Sequence, residues 1–464
     1  MVDWMKEVQA RETELICDTQ AFLQIKSVLD ESTASEKAPF GRGIRKAYDW
    51  LLQKAEKDGF VIKDLDGYAG HIEWGEGRDI VGVLCHLDVV PEGDGWTSDP
   101  YAAEIRDGKI VARGAIDDKG PTMAAYYGLK IVRDTGLVPN KRVRLIIGTD
   151  EESEWRCMKH YFQHEEMPAS GFAPDADFPV IYAEKGICDI EFSMSTKGEE
   201  GNILSFVSGE RLNMVPQTAT AVVRLKALPQ EEQRFAAFLA ENNVKGDFRL
   251  DGDGIQLTVY GKSAHGMEPE KGVNSGLILA HYIHTRLELN DKERAYFSAL
   301  SDLFYNDSRG TELGVDYQDR EKGDVTLNVG VLRYAGKTGG TVGVNVRYPD
   351  GASFTSIYKA LEEKMGQRSF AAAMITHETP HAVDKEHGLI QTLAKVYEEQ
   401  TGEKAEPFAI GGGTYARSLK AGVAFGPLFP GQEDVAHQAD EYISIEQLKK
   451  ATAIYAQAVY ELIK

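Results

Sequence analysis

The sequence predicts an α/β protein of more than one domain, built around an open sheet whose strand ends carry the chemistry. Three observations predict this. The chain has 464 residues, enough for two or three domains with sizeable cores. The run Ile80-Val81-Gly82-Val83-Leu84-Cys85 is apolar throughout, as in a strand buried on both faces, and it leads into His86-Leu87-Asp88. A second, largely apolar run, Val143-Arg144-Leu145-Ile146-Ile147, leads into Asp150-Glu151-Glu152. Open α/β sheets bind their ligands at the carboxyl ends of their strands, where both polar clusters fall.

Composition narrows the class. Hydrophobic residues make up 42% of the chain, as in an ordinary globular protein. A formal net charge of −21 argues against a nucleic-acid partner, which would want a basic face. Cys17, Cys85, Cys157 and Cys188 are scattered and form no Cys-x-x-Cys pair, so neither a disulfide framework nor a zinc ribbon is indicated. No apolar segment approaches membrane-spanning length, and the mixed, charged start Met1-Val2-Asp3-Trp4-Met5-Lys6-Glu7 is unlike a signal peptide. A cytoplasmic protein without a membrane partner is the expectation.

Helical periodicity (Trp4, Met5, Val8, Leu15, Ile16, Phe22, Leu23) predicts helix from residue 3 to about 28. A second helix is expected from about Gly43 to Lys57, ended by Asp58-Gly59. Phe60 to Trp74 reads as short strands around turns, before the strand that opens at Ile80. Residues two apart on a strand point to one side, so His86 and Asp88 can share a pocket. A metal-bound imidazole needs its second nitrogen held by an acceptor, and Asp88 could serve.

After the glycine-rich loop Val90–Trp96 comes Arg113-Gly114-Ala115-Ile116-Asp117-Asp118-Lys119-Gly120-Pro121. Pro121 suits the first position of a helix that the apolar pattern continues from Met123 to Val132. Two aspartates before a helix are commonly caps. Three acids in succession at 150–152 repel one another unless a cation or separate solvation compensates. Asp175, in the proline-bracketed segment Phe172-Ala173-Pro174-Asp175-Ala176-Asp177-Phe178-Pro179, could be a turn residue or a ligand.

Taken in order, His86-Leu87-Asp88-Val89-Val90-Pro91, Arg113 to Gly120, Thr149-Asp150-Glu151-Glu152-Ser153 and Pro174-Asp175-Ala176 resemble the dinuclear-metal aminoacylase/carboxypeptidase family of metallopeptidases. Gly120-Pro121-Thr122-Met123-Ala124-Ala125-Tyr126-Tyr127-Gly128 and the segment from Phe172 to Pro179 are similar to the PepV-type dipeptidases within it. The resemblance extends over essentially the whole chain. It implies a zinc-peptidase-like catalytic domain with a mostly parallel central sheet, plus an inserted α/β lid domain. It also implies two divalent metal ions, zinc or else manganese or cobalt, with Asp117 between them. His86 and Asp175 would complete one metal site, and Glu152 and His437 the other. Glu151 becomes the expected general base, with Asp88 supporting His86. Imidazole and carboxylate donors suit all three metals.

Four of these ligands precede residue 176 and the fifth is His437, so a domain is expected in the interval. The expected boundaries are catalytic 1–185, lid 186–380 and catalytic 381–464. Within the lid, strands are expected at Ile203–Val207, Thr218–Leu225 and Gly254–Tyr260, with a helix near Glu231–Asn242. In the resembling family, a lid histidine at the position of His265, in Gly261-Lys262-Ser263-Ala264-His265-Gly266, stabilises the oxyanion of the tetrahedral intermediate. Asn213 and Arg347 match family contacts to the substrate's terminal carboxylate, which suits arginine's planar fork. Gly411-Gly412-Gly413-Thr414 follows an expected strand and opens an expected helix. It resembles a family loop whose backbone, at Gly412, Gly413 and Thr414, approaches that carboxylate. The Lys-Ser/Thr ending of a phosphate-binding loop is absent.

The resemblance therefore implies a metal-dependent dipeptidase acting on small peptides with a free amino terminus, expected as a monomer. An N-acyl amino acid deacylase or desuccinylase of the same family is the nearest alternative. A non-catalytic binding protein on the same fold would predict a broken ligand or base, yet His86, Asp117, Glu151, Glu152, Asp175 and His437 are all present.

Overall fold

The computed structural model describes residues 2–464 apart from 197, 199, 200, 225–227, 252 and 253. The chain divides into two compact units. The first holds Met1–Ala183, Ala382–Phe408 and Gly413–Lys464, and the second holds Glu184–His381 and Ala409–Gly412.

The first unit begins with two helices where periodicity predicts one: α1 (Trp4–Gln9) and α2 (Glu12–Leu23). Arg11 leaves the helical backbone at φ −116°, ψ 9°, and its guanidinium bonds Glu7 and Asp134. Helix α2 also stops short of residue 28. Ser27 is drawn away to accept from Val89 N, while its hydroxyl donates to the Leu87 carbonyl at 2.6 Å. Helix α3 (Arg42–Lys57) matches expectation, with Gly59 beyond it at φ +86°.

The central sheet contains β1 (Val61–Leu65), β2 (Ala69–Trp74), β3 (Ile80–His86), β4 (Arg142–Gly148), β5 (Ser170–Ala173), β6 (Ile181–Glu184) and β7 (Gly422–Ala424). These seven strands run in the order β1-β2-β4-β3-β5-β7-β6 within a nine-stranded sheet. The middle four, β4, β3, β5 and β7, are mutually parallel, whereas β1, β2 and β6 pair antiparallel at the flanks. All seven residues of β3 are buried, as its unbroken apolar run requires. In register, His86 lies opposite Gly148, and Val83 opposite Phe172. The carboxyl ends of β3, β4 and β5 therefore fall at one edge.

Helix α4 (Lys119–Asp134) packs on β3 and against the C-terminal helix α5 (Ile445–Ile463). The two helices approach closely at Gly128, where an added methyl would lie 2.9 Å from Ala456 N. Helix α4 starts two residues earlier than its proline suggests. Pro121 occupies the third helical position, still within the first turn, where backbone N–H groups have no intrahelical acceptor.

The second unit is an eight-stranded sheet with helices. Its order is Lys245–Asp251, Gly254–Tyr260, Thr218–Val223, Ile203–Ser208, Thr326–Ala335, Gly339–Tyr348, Gly186–Ser195, Ala371–Glu378, and every pairing is antiparallel. Along Gly186–Ser195, buried residues alternate with more exposed ones, as on a sheet with one packed face. Cys188, Ile190, Phe192 and Met194 point into a core shared with Tyr282 and Phe297 of the helices Ser275–Arg286 and Asp291–Leu303. The helix expected near Glu231–Asn242 runs Leu228–Glu241. Leu225, the last residue of the strand expected from Thr218, lies outside the described residues.

Candidate metal centre

In the first unit, the sheet edge collects the predicted ligands. His86 is the last residue of β3, Asp117 precedes α4, Glu151 and Glu152 follow β4, and Asp175 follows β5. His437 comes from a turn after β7, with a left-handed backbone (φ +63°) that histidine tolerates better than most residues.

Asp117 stands at the middle. One carboxylate oxygen lies 2.9 Å from His86 Nε2 and the other 2.9 Å from His437 Nε2. Asp175 is 3.6 Å from His86 Nε2, and Glu152 is 3.0 Å from His437 Nε2. The donors form two groups, His86 with Glu151 and Asp175, and Asp117 with Glu152 and His437. Within each group the donor atoms lie within 4.8 Å of one another. All the ligand positions expected in this unit are thus brought together, and Glu151 sits beside His86 and Asp175.

Asp88 is buried and supports the cluster, though not as its carboxylate alone would suggest. His86 Nδ1 is 2.9 Å from the backbone carbonyl of Asp88 and 3.6 Å from its carboxylate. The nearer acceptor is the carbonyl, because β3 ends at His86 and the chain then turns. That carboxylate instead accepts from Glu152 N at 3.0 Å, so Asp88 links the ends of β3 and β4.

The acid run after β4 divides by geometry. Asp150 turns away and takes Arg156 in a two-pronged contact of 2.9 and 3.0 Å. Asp118 occupies the cap position of α4 without capping it, since its carboxylate accepts from His86 N and the Thr122 hydroxyl at 3.1 Å each.

The electrostatics fit a cation. Burial, reinforced by Asp117 and neighbouring acids, pushes Asp175 up to about 7. Burial and the charges of Asp175, Glu152 and Asp117 hold Glu151 well above the usual carboxylate range, and burial and Asp117 raise Glu152. Burial alone would lower His437, yet its hydrogen bonds to Asp117 and Glu152 raise it to about 11. Burial opposes but does not outweigh the two imidazoles that hold Asp117 well below its ordinary value. Four carboxylates crowded around two imidazoles is an arrangement that divalent cations relieve, and the donor set is one that zinc, manganese and cobalt accept.

Asn213 and His265 lie on adjacent loops, joined by Gly266 N donating to Asn213 O at 2.7 Å and Val215 N to Ala264 O at 2.9 Å. Both side chains are exposed. His265 Nδ1 accepts from Met267 N at 3.1 Å. Arg347 is buried, donating from Nε to Asn345 Oδ1 at 2.8 Å and from Nη1 to Gly411 O at 3.1 Å.

The glycine loop differs from expectation. It leads into a single 3₁₀ turn, Tyr415–Ser418, which Thr414 caps by accepting from Ala416 N, so no helix axis points at the loop. The loop also straddles the division of the chain, with Gly412 in the second unit and Gly413 and Thr414 in the first. Glu441, whose carboxylate bonds the backbone of Asp117, belongs to none of the motifs above. Its one signal was an acid four residues beyond His437, in a segment that carries two.

No helix among the described residues is long and apolar enough to cross a membrane. The sequence matches peptidase family M20/M25/M40 over residues 82–461. Among relatives, it is 52% identical over 470 residues to a Bacillus subtilis protein named "Putative dipeptidase YtjP", covering 100% of both chains. It is 44% identical over 465 residues to a Staphylococcus haemolyticus protein of the same description, covering 99% of each. The fold is similar to that of human carnosine dipeptidase 1, with a TM-score of 0.60 at 14% identity, over 99% of this chain and 98% of that one. It is also similar to the Saccharomyces cerevisiae di-peptidase Dug1p, with a TM-score of 0.58 at 14% identity and the same coverage. Peptidases of this family depend on a dinuclear metal centre, which the paired donor groups around Asp117 match. The chain therefore belongs to peptidase family M20/M25/M40 and is a metallopeptidase.

Proposed function

We infer that this metallopeptidase is a dipeptidase, hydrolysing the single peptide bond of dipeptides with a free amino terminus. The observation that carries the chemistry is Asp117, with one oxygen toward each of two imidazoles. The substrate class follows the relatives matched along their whole length, which carry the name "Putative dipeptidase".

In this reading His86 and Asp175 hold one ion, Glu152 and His437 the other, and Asp117 both. When bound, such a pair of divalent cations, zinc in the first instance, acidifies a water molecule and polarises a carbonyl. Glu151 is the base that takes the proton of the attacking water and delivers it to the departing amine. Glu151 stands beside His86 and Asp175, within reach of the ion they would hold. Asp88 keeps His86 oriented by accepting from its Nδ1 through the backbone carbonyl. His265 donates to the oxyanion. Asn213, Arg347 and the backbone at Gly412, Gly413 and Thr414 bind the substrate's terminal carboxylate.

The test is hydrolysis by metal-stripped protein after zinc, manganese or cobalt is restored singly. The panel holds free dipeptides, a tripeptide, and N-acetyl and N-succinyl amino acids. Metal-dependent cleavage confined to dipeptides is the expected result. Cleavage of the acylated compounds instead would overturn the substrate assignment and leave the metal centre standing.

A further inference from the structure

Glu441 is fully buried, and each of its carboxylate oxygens is engaged. Oε1 accepts the backbone N–H groups of Ile116 at 2.9 Å and Asp117 at 3.2 Å. Oε2 takes Arg113 Nη1 at 2.6 Å. Arg113 is itself 2% exposed, lies over the Trp96 ring and donates a second bond to Glu92 O at 3.2 Å. The backbone joins in, as Ala112 N donates to Glu441 O, and Tyr442–Ser444 pairs antiparallel with Lys109–Val111.

An ion pair removed from water in this way is a poor source of stability, because desolvation offsets most of the attraction. What it supplies is registry. Glu441 lies four residues beyond His437, while its carboxylate grips the amide of Asp117 from 324 residues away in sequence. Asp117 must present one oxygen to each imidazole, and rotation of its backbone would misplace both. Arg113, in turn, fixes the carboxylate that does the gripping.

We propose that Glu441, braced by Arg113, is a positioning residue for the metal centre, locking the Asp117 loop to the segment that carries His437 so that both ions are held. The proposal rests on the reading of the cluster around Asp117 as a dinuclear metal centre. Outer groups that orient metal ligands typically cost about 10–100-fold in metal affinity when removed. Glu441→Gln keeps the shape but not the charge that Arg113 requires.

The experiment is zinc binding by the full-length protein, read by competition with a chromophoric chelator at 25 °C on samples that circular dichroism shows folded. Wild type should take up two zinc ions, and Glu441→Gln should weaken their binding by about 10–100-fold. Asp440→Asn serves as the control. Asp440 is a neighbouring acid that bonds Thr97 and Arg106, and its loss should leave zinc affinity unchanged. Arg113→Lys, which keeps the charge but replaces the fork with one ammonium, should weaken zinc in the same direction, and it decides the matter if Glu441→Gln does not fold. A merely structural ion pair would lower thermal stability without moving zinc affinity in the folded state. Wild-type affinity in the variants, with two ions bound by wild type, overturns the positioning role alone. Failure of wild type to bind two ions overturns the metal-centre reading beneath it.

Discussion

Asn328 and Asn345 lie opposite each other on adjacent antiparallel strands of the second unit, and their side chains support different residues of the proposed substrate clamp. Asn328 donates to the carbonyls of Leu212 and Met214 at 2.7 and 2.9 Å, bracketing Asn213. Asn345 donates to Asp189 at 2.6 Å, which turns its own carbonyl oxygen toward Arg347 Nε at 2.8 Å. Because a carboxylate only accepts, Asp189 settles the orientation of the Asn345 amide. The guanidinium is thus oriented by an amide oxygen that leaves its charge in place.

Asn345→Ala should therefore loosen Arg347 without removing it. Loss of a buried hydrogen bond to a charged group is worth about 1.5–3 kcal/mol, which corresponds to roughly a tenfold or greater rise in KM for a dipeptide. Steady-state kinetics on one dipeptide would check this, with kcat changed less than KM. An unchanged KM alongside a raised one in Arg347→Ala would show that the arginine needs no such support.

Metal stoichiometry should follow the sharing of Asp117. Asp175→Asn should weaken one ion and Glu152→Gln the other, while Asp117→Asn weakens both. Elemental analysis after graded chelation reads this directly. Equal retention in all three variants would contradict the division of ligands.

Glu151→Gln should keep both ions and lose turnover by about 10²–10⁴-fold, the usual contribution of a positioned general base. Elemental analysis and kcat on the same preparation separate the two effects. Full activity would remove Glu151 from the proton transfer, and loss of an ion would make it a ligand.

Stripping the metal should make stability fall with rising pH. Asp175 has its folded value raised from 3.8 to about 7, so its contribution is complete below 3.8 and is lost as pH rises through 7. His437, raised from 6.5 to about 11, contributes fully below 6.5 and loses that contribution only as pH rises through 11. Asp117 runs the other way, its contribution being present above 3.8 and lost in acid. Between pH 5 and 8 the raised groups act in one direction, so the Tm of the metal-free protein should fall across that window. Zinc should restore more at pH 8 than at pH 5, since its ligands must shed protons. Scanning calorimetry with and without zinc checks both slopes, and a metal-free Tm that climbs over this range would contradict the assigned shifts.

The features legible in the sequence were those written locally. The buried run of β3 and the acids after β4 announced a sheet edge because apolar periodicity and its abrupt end lie within a dozen residues. Long-range partners were not legible. Asp440 and Glu441 are adjacent acids with similar side chains, yet one reaches the surface at Thr97 and the other is buried against Arg113. Asp150 reads like Glu151 until Arg156 folds back on it. Arg11, at the break between the first two helices, bonds Asp134 more than a hundred residues away, and no helical periodicity could announce that contact.

The protonation of His265 yields a last prediction. Met267 N donates to Nδ1 at 3.1 Å, so that nitrogen is an acceptor and the proton of the neutral ring lies on Nε2. A neutral imidazole in this tautomer remains a hydrogen-bond donor, and the residue needs no positive charge to stabilise an oxyanion. His265→Ala should then lower kcat by about 10²–10³-fold, the measured scale for losing one such donor, while leaving zinc content intact. His265→Gln, which keeps a side-chain N–H, should recover part of the loss. Kinetics of both variants at pH 7 and pH 9 test the tautomer as well as the role. The ratio of wild-type to His265→Ala kcat should persist at pH 9, and its collapse there would mean that the imidazolium, not the neutral ring, makes the bond.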